Sequence, residues 1–348
     1  MIKKRVLLVS YELSCTGSPK AVLNMANAFR DCGYFVGIWA LNDGPYASEF
    51  EKEGYQVEII SFPRDAGELL DKRIRSYELV ICHTIFCAEF ACYTQRIKKT
   101  ALYIHEAANI RKLMNKCGID KKYLLGIRHT FCVSDYAKTQ ICNNYNLKNL
   151  YVLNNYVSQY DVEQEQKGSH DTIRLCLSGT VEERKGLDIL VQALSNYLYH
   201  DIELHVIGEI PEWSMKYAEK WLDNDFIIYH GAISDRAELM KLYKSMDVFV
   251  VASRDESCSL VALEAAMLKK ALIVTENTGA KYIVDNKACI VKTNDADSLS
   301  NAIKMFIKKP NMIVNEGKAN YEKYLKYASE NNYKKKLKKY IRKIIFSF

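Results

Sequence analysis

Residues 255–274 read DESCSLVALEAAMLKKALIV and set two glutamates, Glu256 and Glu264, eight positions apart. A hydroxyl-rich turn, Ser257-Cys258-Ser259, leads into Leu260, Val261, Leu263, Ala266 and Met267, an apolar spacing that predicts a packed helix. Glu264 then stands on a fixed scaffold, whereas Glu256 lies in the turn before it. On either side, residues 247–253 (DVFVVAS) and 271–275 (ALIVT) read as buried strands, and strand, turn, helix, strand is a parallel crossover unit. Ligands of such sheets gather at the carboxyl ends of the strands, where residues 253–259 fall. A helix opening near Ser259 presents free backbone N–H groups there, which suits a phosphate. N–H groups for a diphosphate and carboxylates for sugar hydroxyls make this a candidate nucleotide-sugar site. The same residues also fit a capped core helix with an incidental surface glutamate.

The pattern extends in both directions. Toward the amino terminus, strands are expected at residues 5–10, 35–40, 57–60, 79–83, 101–105, 131–134 and 151–153, with helices between them such as residues 20–32, which end at Gly33. A polar, aperiodic stretch, SQYDVEQEQKGSHDT at residues 158–172, reads as a linker. The alternation restarts with strands at 173–177, 203–207, 226–229, 247–253, 271–275 and 288–291. The expected class is α/β: two Rossmann-like doubly wound parallel-sheet domains, residues 1–160 and 161–320, facing across a cleft, with a basic closing segment at 321–348.

Composition narrows the function classes. With 348 residues, 49% hydrophobic and 26% charged, the chain describes a soluble globular protein of two ordinary domains. The apolar run Val6–Val9 is a first strand, too short for a signal peptide or membrane span. Eleven cysteines without a Cys-x-x-Cys pair, several inside apolar runs, fit reduced thiols in a cytoplasmic protein. Seven dispersed histidines argue against zinc. Residues 321–348 hold nine Lys/Arg and two Glu, a surplus of +7 that equals the whole chain's net charge of +7. The rest is neutral overall, so a nucleic-acid partner is not expected.

Three loops carry candidate ligand residues. The first strand runs into SCTGSPK, residues 14–20, where Gly17 can take positive φ and Pro19 suits a first helical turn; no G-x-G-x-x-G is present. In the second half, SGTVEERKGLDILVQAL at residues 178–194 puts Gly179, Arg184 and Lys185 before Gly186 and an amphipathic helix, a pair of cations suited to a diphosphate. YIHEAAN brings His105 and Glu106 to a strand end, where an imidazole could bond a hydroxyl. A surface Lys-Gly turn and a structural histidine are the plain alternatives.

Taken together, residues 178–194, LHVIGE, IIYHGAISDRAELMKLYKSMDVFVVASRDESCSLVALEAAM and ENTGAKYIV resemble glycosyltransferase family 4, the retaining enzymes of GT-B fold. The resemblance spans about residues 173–284 and includes the paired-glutamate motif E-x7-E; VLLVSYELSCTGSPKAVLNMANAF and YIHE are similar to the family's acceptor domain. It implies that Glu264 binds the donor's ribose, that Glu256 lies against the transferred sugar, that amides around Ser259 and Leu260 meet the phosphates, and that Lys185 neutralises the leaving diphosphate. Catalytic roles fall to Glu256, His105 and Lys185, with Gly17, Gly179 and Arg184 added to the donor contacts. Two departures stand out: Thr180 occupies the place of a usual arginine, with Arg184 as a substitute cation, and LKKAL at 268–272 replaces a common Gly-Pro turn.

The implied activity is metal-independent, retaining transfer of a hexose-type sugar from a UDP- or GDP-sugar to a saccharide or lipid-linked saccharide acceptor, as in envelope polysaccharide synthesis. No cofactor and no metal are expected; DND at 223–225 and DAD at 295–297 do not follow a buried strand in the expected place. A catalytically weak partner subunit, suggested by Thr180, and a nucleotide-sugar 2-epimerase are the competing readings. Finally, Tyr333, Leu337, Tyr340, Ile341, Ile344, Ile345 and Phe348 form an apolar stripe among lysines. Such a helix can lie on an anionic membrane surface, peripheral to the inner face, or pack on the first domain.

Overall fold

The computed structural model describes residues 4–147, 149–160, 172–195 and 202–346. They form two compact units: one takes the chain up to Tyr156 together with the segment from Glu330 onward, and the other runs from Val157 to Ser329. Residues 161–171, most of the expected linker, lie outside the described residues.

The first unit holds strands β1 Arg5–Ser10, β2 Phe35–Ala40, β3 Val57–Ile59, β4 Leu79–His83, β5 Lys99–Ile104, β6 Thr130–Cys132 and β7 Leu150–Val152. They pair in parallel in the order β3-β2-β1-β4-β5-β6-β7. The second unit holds β8 Ile173–Ser178, β9 Ile202–Ile207, β10 Ile227–Tyr229, β11 Val248–Val251, β12 Ala271–Thr275 and β13 Ile290–Val291, parallel in the order β10-β9-β8-β11-β12-β13. Both sheets therefore wind the same way, and in each the strand order reverses beside the first strand, between β1 and β4 and between β8 and β11. Crevices open at such reversals, at the carboxyl ends. The central strands β4, β11 and β12 are buried along their whole length, as expected of sheets covered by helices on both faces.

Local chemistry moves several expected boundaries. The strand expected at 247–253 shortens to Val248–Val251 because the Asp247 carboxylate accepts the N–H of Arg174 at 3.0 Å and the Ser253 carbonyl accepts from Thr275 Oγ1 at 2.6 Å. The one expected at 288–291 narrows to Ile290–Val291, since Asn286 caps a 3-10 turn at Lys287–Cys289. Gly17 does not take positive φ; it opens the helix Gly17–Asp31 after Thr16. In the turn that lacks Gly-Pro, Lys269 itself takes φ +58 and sets its ammonium 4.9 Å from the centre of the Tyr321 ring.

The closing helix Glu330–Ile345 returns to the first unit. Tyr333, Leu337, Ile341 and Ile344 are buried there; Tyr333 packs on Tyr156 with ring centres 4.6 Å apart, and Tyr340 packs on Tyr151 at 5.2 Å while donating to the Val152 carbonyl at 3.1 Å. Tyr333, Leu337, Tyr340, Ile341 and Ile344 of the apolar stripe are thus committed to packing. What the helix shows to solvent is cationic, Lys335, Lys338, Lys339, Arg342 and Lys343, followed by Phe346 at 74% exposure. Phe348 lies outside the described residues. Among the described residues no helix is long and apolar enough to cross a membrane.

Candidate functional site

In the second unit the loops after β8 and β11 are laced together. Gly186, at φ +75, lies so close to Ala252 that a Cβ would stand 2.2 Å from the Ala252 carbonyl oxygen. The Arg254 N–H donates to the Arg184 carbonyl at 2.8 Å. The Arg254 guanidinium grips Asp188 with both arms, at 2.9 and 2.6 Å, and reaches the Glu183 carbonyl. Tyr217 adds its hydroxyl to Asp188 at 2.7 Å. Burial would push the Asp188 carboxyl up, but Arg254 and Tyr217 outweigh it and hold it below the usual range.

This lacing brings Lys185 onto Glu256. The Lys185 ammonium pairs with Glu256 Oε2, and Arg184 Nη1 stands 3.6 Å from the same oxygen. Glu256 is nearly buried, which alone would raise its pKa, yet Lys185 and then Arg184 hold it ionised below the ordinary carboxylate range. Its backbone is fixed by the ENTG turn: Glu256 N–H donates to Asn277 O at 3.1 Å and Gly279 N–H to Glu256 O at 2.7 Å. Gly179, at φ +132, lies alongside the Lys185 stem, 3.4 Å from Cε where a Cβ would be.

Ser259 caps the helix Leu260–Met267 by accepting from Ala262 N–H at 3.2 Å. The N–H groups of Leu260 and Val261 have no carbonyl to reach within that helix, leaving a donor pair at its mouth. Glu264, buried two turns beyond Glu256, accepts at Oε1 from Arg236 Nη1 at 2.8 Å. Arg184, Lys185 and Glu256 thus share one loop cluster at the strand ends, with Gly179 against the Lys185 stem and the Ser259 cap of the following helix three residues after Glu256. Glu264 lies inside that helix, beyond Leu260, and pairs with Arg236. Arg184 is held within its own surroundings, by Glu182 at 2.5 Å and the Asp255 carbonyl at 3.0 Å. Three supporting residues, Arg236, Arg254 and Asp188, lie inside the quoted stretches, yet sequence reasoning does not single them out. Asp188 and Arg254 are 66 positions apart, and only the fold pairs them.

Gly17 and His105 belong to the first unit. At the ends of β4 and β5, His83 Nδ1 lies 3.0 Å from His105 Nε2, and the rings stack with centres 5.2 Å apart. Burial holds the His83 imidazole neutral and lowers that of His105 to about 3. The Glu106 carboxylate accepts the N–H groups of His105 at 3.0 Å and Ile85 at 3.2 Å. Burial outweighs those donors and pushes its pKa up to about 7.

Comparison with known proteins follows this geometry. The family described as glycosyl transferases group 1 matches residues 159–342, and the one described as glycosyl-transferase family 4 matches residues 2–110. HepE from Anabaena, solved with UDP and glucose, superposes with a TM-score of 0.81 at 13% identity over 97% of this chain and 99% of that one. A glycosyltransferase from Rickettsia africae gives 0.82 at 18% identity over 100% of both chains. Sucrose-phosphate synthase from Thermosynechococcus elongatus gives 0.78 at 16% identity, covering 98% and 99%. At such identities the likeness is one of fold, and the fold is the α/β GT-B fold. Among functionally curated proteins none matches the sequence. The group 1 match takes in more than half of the chain, including both glutamates and the cations that face them, and on that basis the chain belongs to the glycosyl transferases group 1 family.

Proposed function

We propose that this glycosyltransferase moves a hexose-type sugar, with retention and without a metal, from a UDP- or GDP-sugar to a saccharide acceptor carried on a lipid. The observation that carries the reading is the pairing of Lys185 with Glu256 just before the Ser259-capped helix that bears Glu264. As the nucleoside diphosphate departs, negative charge grows on its phosphate, and Lys185 with the Leu260 and Val261 N–H groups is suited to stabilise it. Glu264 suits a ribose diol, and Glu256 the hydroxyls of the sugar that gains positive charge. Attack on the same face lets the leaving phosphate accept the acceptor's proton, so no protein nucleophile is required. The HepE structures with UDP, with UDP and glucose and with UDP-glucose support a uridine donor. The cationic face of the closing helix supports an acceptor at an anionic membrane surface in envelope polysaccharide synthesis.

A thermal-shift screen against UDP, GDP, ADP and their sugars, followed by transfer assays, tests the reading. A ligand at 100 times its Kd adds about 2.7 kcal/mol to stability. Lys185→Ala is expected to lower kcat on the order of 10² to 10³, and Glu264→Ala to abolish most transfer with the fold intact. Wild-type turnover in both variants refutes the donor site. An untouched donor points to a partner subunit, and sugar conversion without acceptor-linked product to an epimerase.

A further inference from the structure

We propose that His83 is a positioning residue that holds the His105 imidazole in the tautomer protonated at Nδ1, so that His105 offers a ligand oxygen a hydrogen-bond donor instead of a base. The two rings share one hydrogen bond, 3.0 Å between His83 Nδ1 and His105 Nε2, and only one of those nitrogens carries the proton. If His105 Nε2 donated, the His83 proton would sit on Nε2. That nitrogen is buried and has no hydrogen-bond partner among the described residues, so the arrangement would leave an orphaned N–H. If His83 Nδ1 donates, the orphan is a bare lone pair. Buried N–H groups without acceptors are the rarer of the two, which selects the second arrangement. His105 Nε2 then accepts, and its proton lies on Nδ1, the one ring nitrogen left for a ligand.

The neighbours remove the competing ways of setting this tautomer. A carboxylate often orients a working histidine, and Glu106 is adjacent, but its Oε2 is engaged by the backbone N–H groups of His105 and Ile85. The Tyr103 ring lies against both imidazoles, with centres 5.3 and 4.6 Å away, while its hydroxyl turns to the Leu153 carbonyl and to Asn155. Burial keeps both rings neutral, so no third proton satisfies the pair. Backbone geometry holds the two strand ends in place. Thr84, at φ +70, donates its N–H to the Tyr103 carbonyl at 2.8 Å, fixing the chain after His83 against β5. A non-glycine residue in that conformation persists only where the surroundings enforce it.

The proposal rests on the transferase reading only for what His105 meets: an oxygen of a saccharide bound at the first unit, to which a neutral N–H donates. In that role His105 does not take the acceptor's proton. The test is a long-range 1H–15N correlation spectrum of the full chain labelled with [15N]histidine, which reports tautomers without any assay of transfer. His105 is expected protonated at Nδ1 in the parent. His83→Asn, whose amide N–H can stand where Nδ1–H stood, is expected to keep that state. His83→Asp, whose carboxylate can only accept, is expected to move His105 toward Nε2–H and to lower kcat on the order of tenfold with KM little changed. A parent spectrum with His105 protonated at Nε2, or an unchanged tautomer in His83→Asp, overturns the proposal. Should His83→Asp not fold, the parent spectrum decides alone. Correct tautomers in a protein that transfers no sugar would instead count against the proposed function.

Discussion

Gly186→Ala tests whether the packed glycine turn places Lys185, the lysine proposed to meet the donor. The new Cβ would stand 2.2 Å from the Ala252 carbonyl oxygen and 2.9 Å from its carbon, both backbone atoms at the end of a buried strand. Relieving the clash needs a shift of about 1 Å, an overpacking strain that costs about 1–3 kcal/mol. Holding an alanine at φ +75 costs a further 1–2 kcal/mol or so, offset by about 0.4–1 kcal/mol from a less flexible unfolded chain. The net loss is about 1–5 kcal/mol with a midpoint near 3, and the midpoint corresponds to roughly 6–12 °C in Tm for a unit of this size. Gly231→Ala is the control: its φ is +69, but nothing lies within 4 Å of the added carbon, so only the conformational part is lost. Because Lys185 precedes Gly186, the shift also displaces the ammonium, and misplacement by about 1 Å costs on the order of 10² in rate. Calorimetry and transfer kinetics together read both effects. A Gly186→Ala protein that melts within about 1 °C of the parent refutes the packing argument. One that is destabilised but transfers at full rate refutes the link to Lys185.

Thr180→Arg supplies the cation that the family resemblance leads one to expect at this position, and donor turnover is expected to stay level or rise; a large loss would show that the loop has been rebuilt around the smaller side chain. For Glu106, the folded pKa of about 7 lies above the reference of 4.5, so its stabilising contribution is full below the reference value and is lost as pH rises through 7. Melting midpoints from pH 5 to 8 should therefore fall more steeply in the parent than in Glu106→Gln, and equal slopes would refute the shift. Sedimentation with anionic liposomes at low and high salt tests the basic face, where each cation contributes about 1 kcal/mol. The protein is expected in the pellet at low salt; a protein that stays in solution, or a variant neutralised at Lys335, Lys338, Lys339, Arg342 and Lys343 that binds equally well, removes the membrane reading.

The parallel sheets were legible because strands such as LVICH and ALIVT are apolar without interruption, a pattern that only double-sided burial explains. Strand ends were less so, because they depend on single side chains such as Asp247 and Asn286 that turn back on the backbone. At the site, Lys185, Glu256 and Glu264 were visible through spacing and neighbours. Arg254 and His83 were not: one works by closing on Asp188, the other by stacking on a histidine from the next strand, and neither contact leaves a period in the sequence. Nor did the spacing of the last helix say which surface its stripe would cover. Tyr156 and Tyr333 decide that by burying each side of one interface.

The return of that helix gives the chain an order of completion. Lys334 pairs with Asp31 across 303 positions, whereas the second unit is one continuous stretch from Val157 to Ser329. During synthesis the second unit can close as soon as it has emerged. The first, though made earlier, keeps the apolar surface around Phe131, Tyr151 and Tyr156 uncovered until the residues through Ile344 arrive. A ribosome that stalls near residue 330 would release a protein with a finished second unit and an unsealed first one, open to holdases and proteases. Translation through the last helix therefore acts as the seal on the half that was made first.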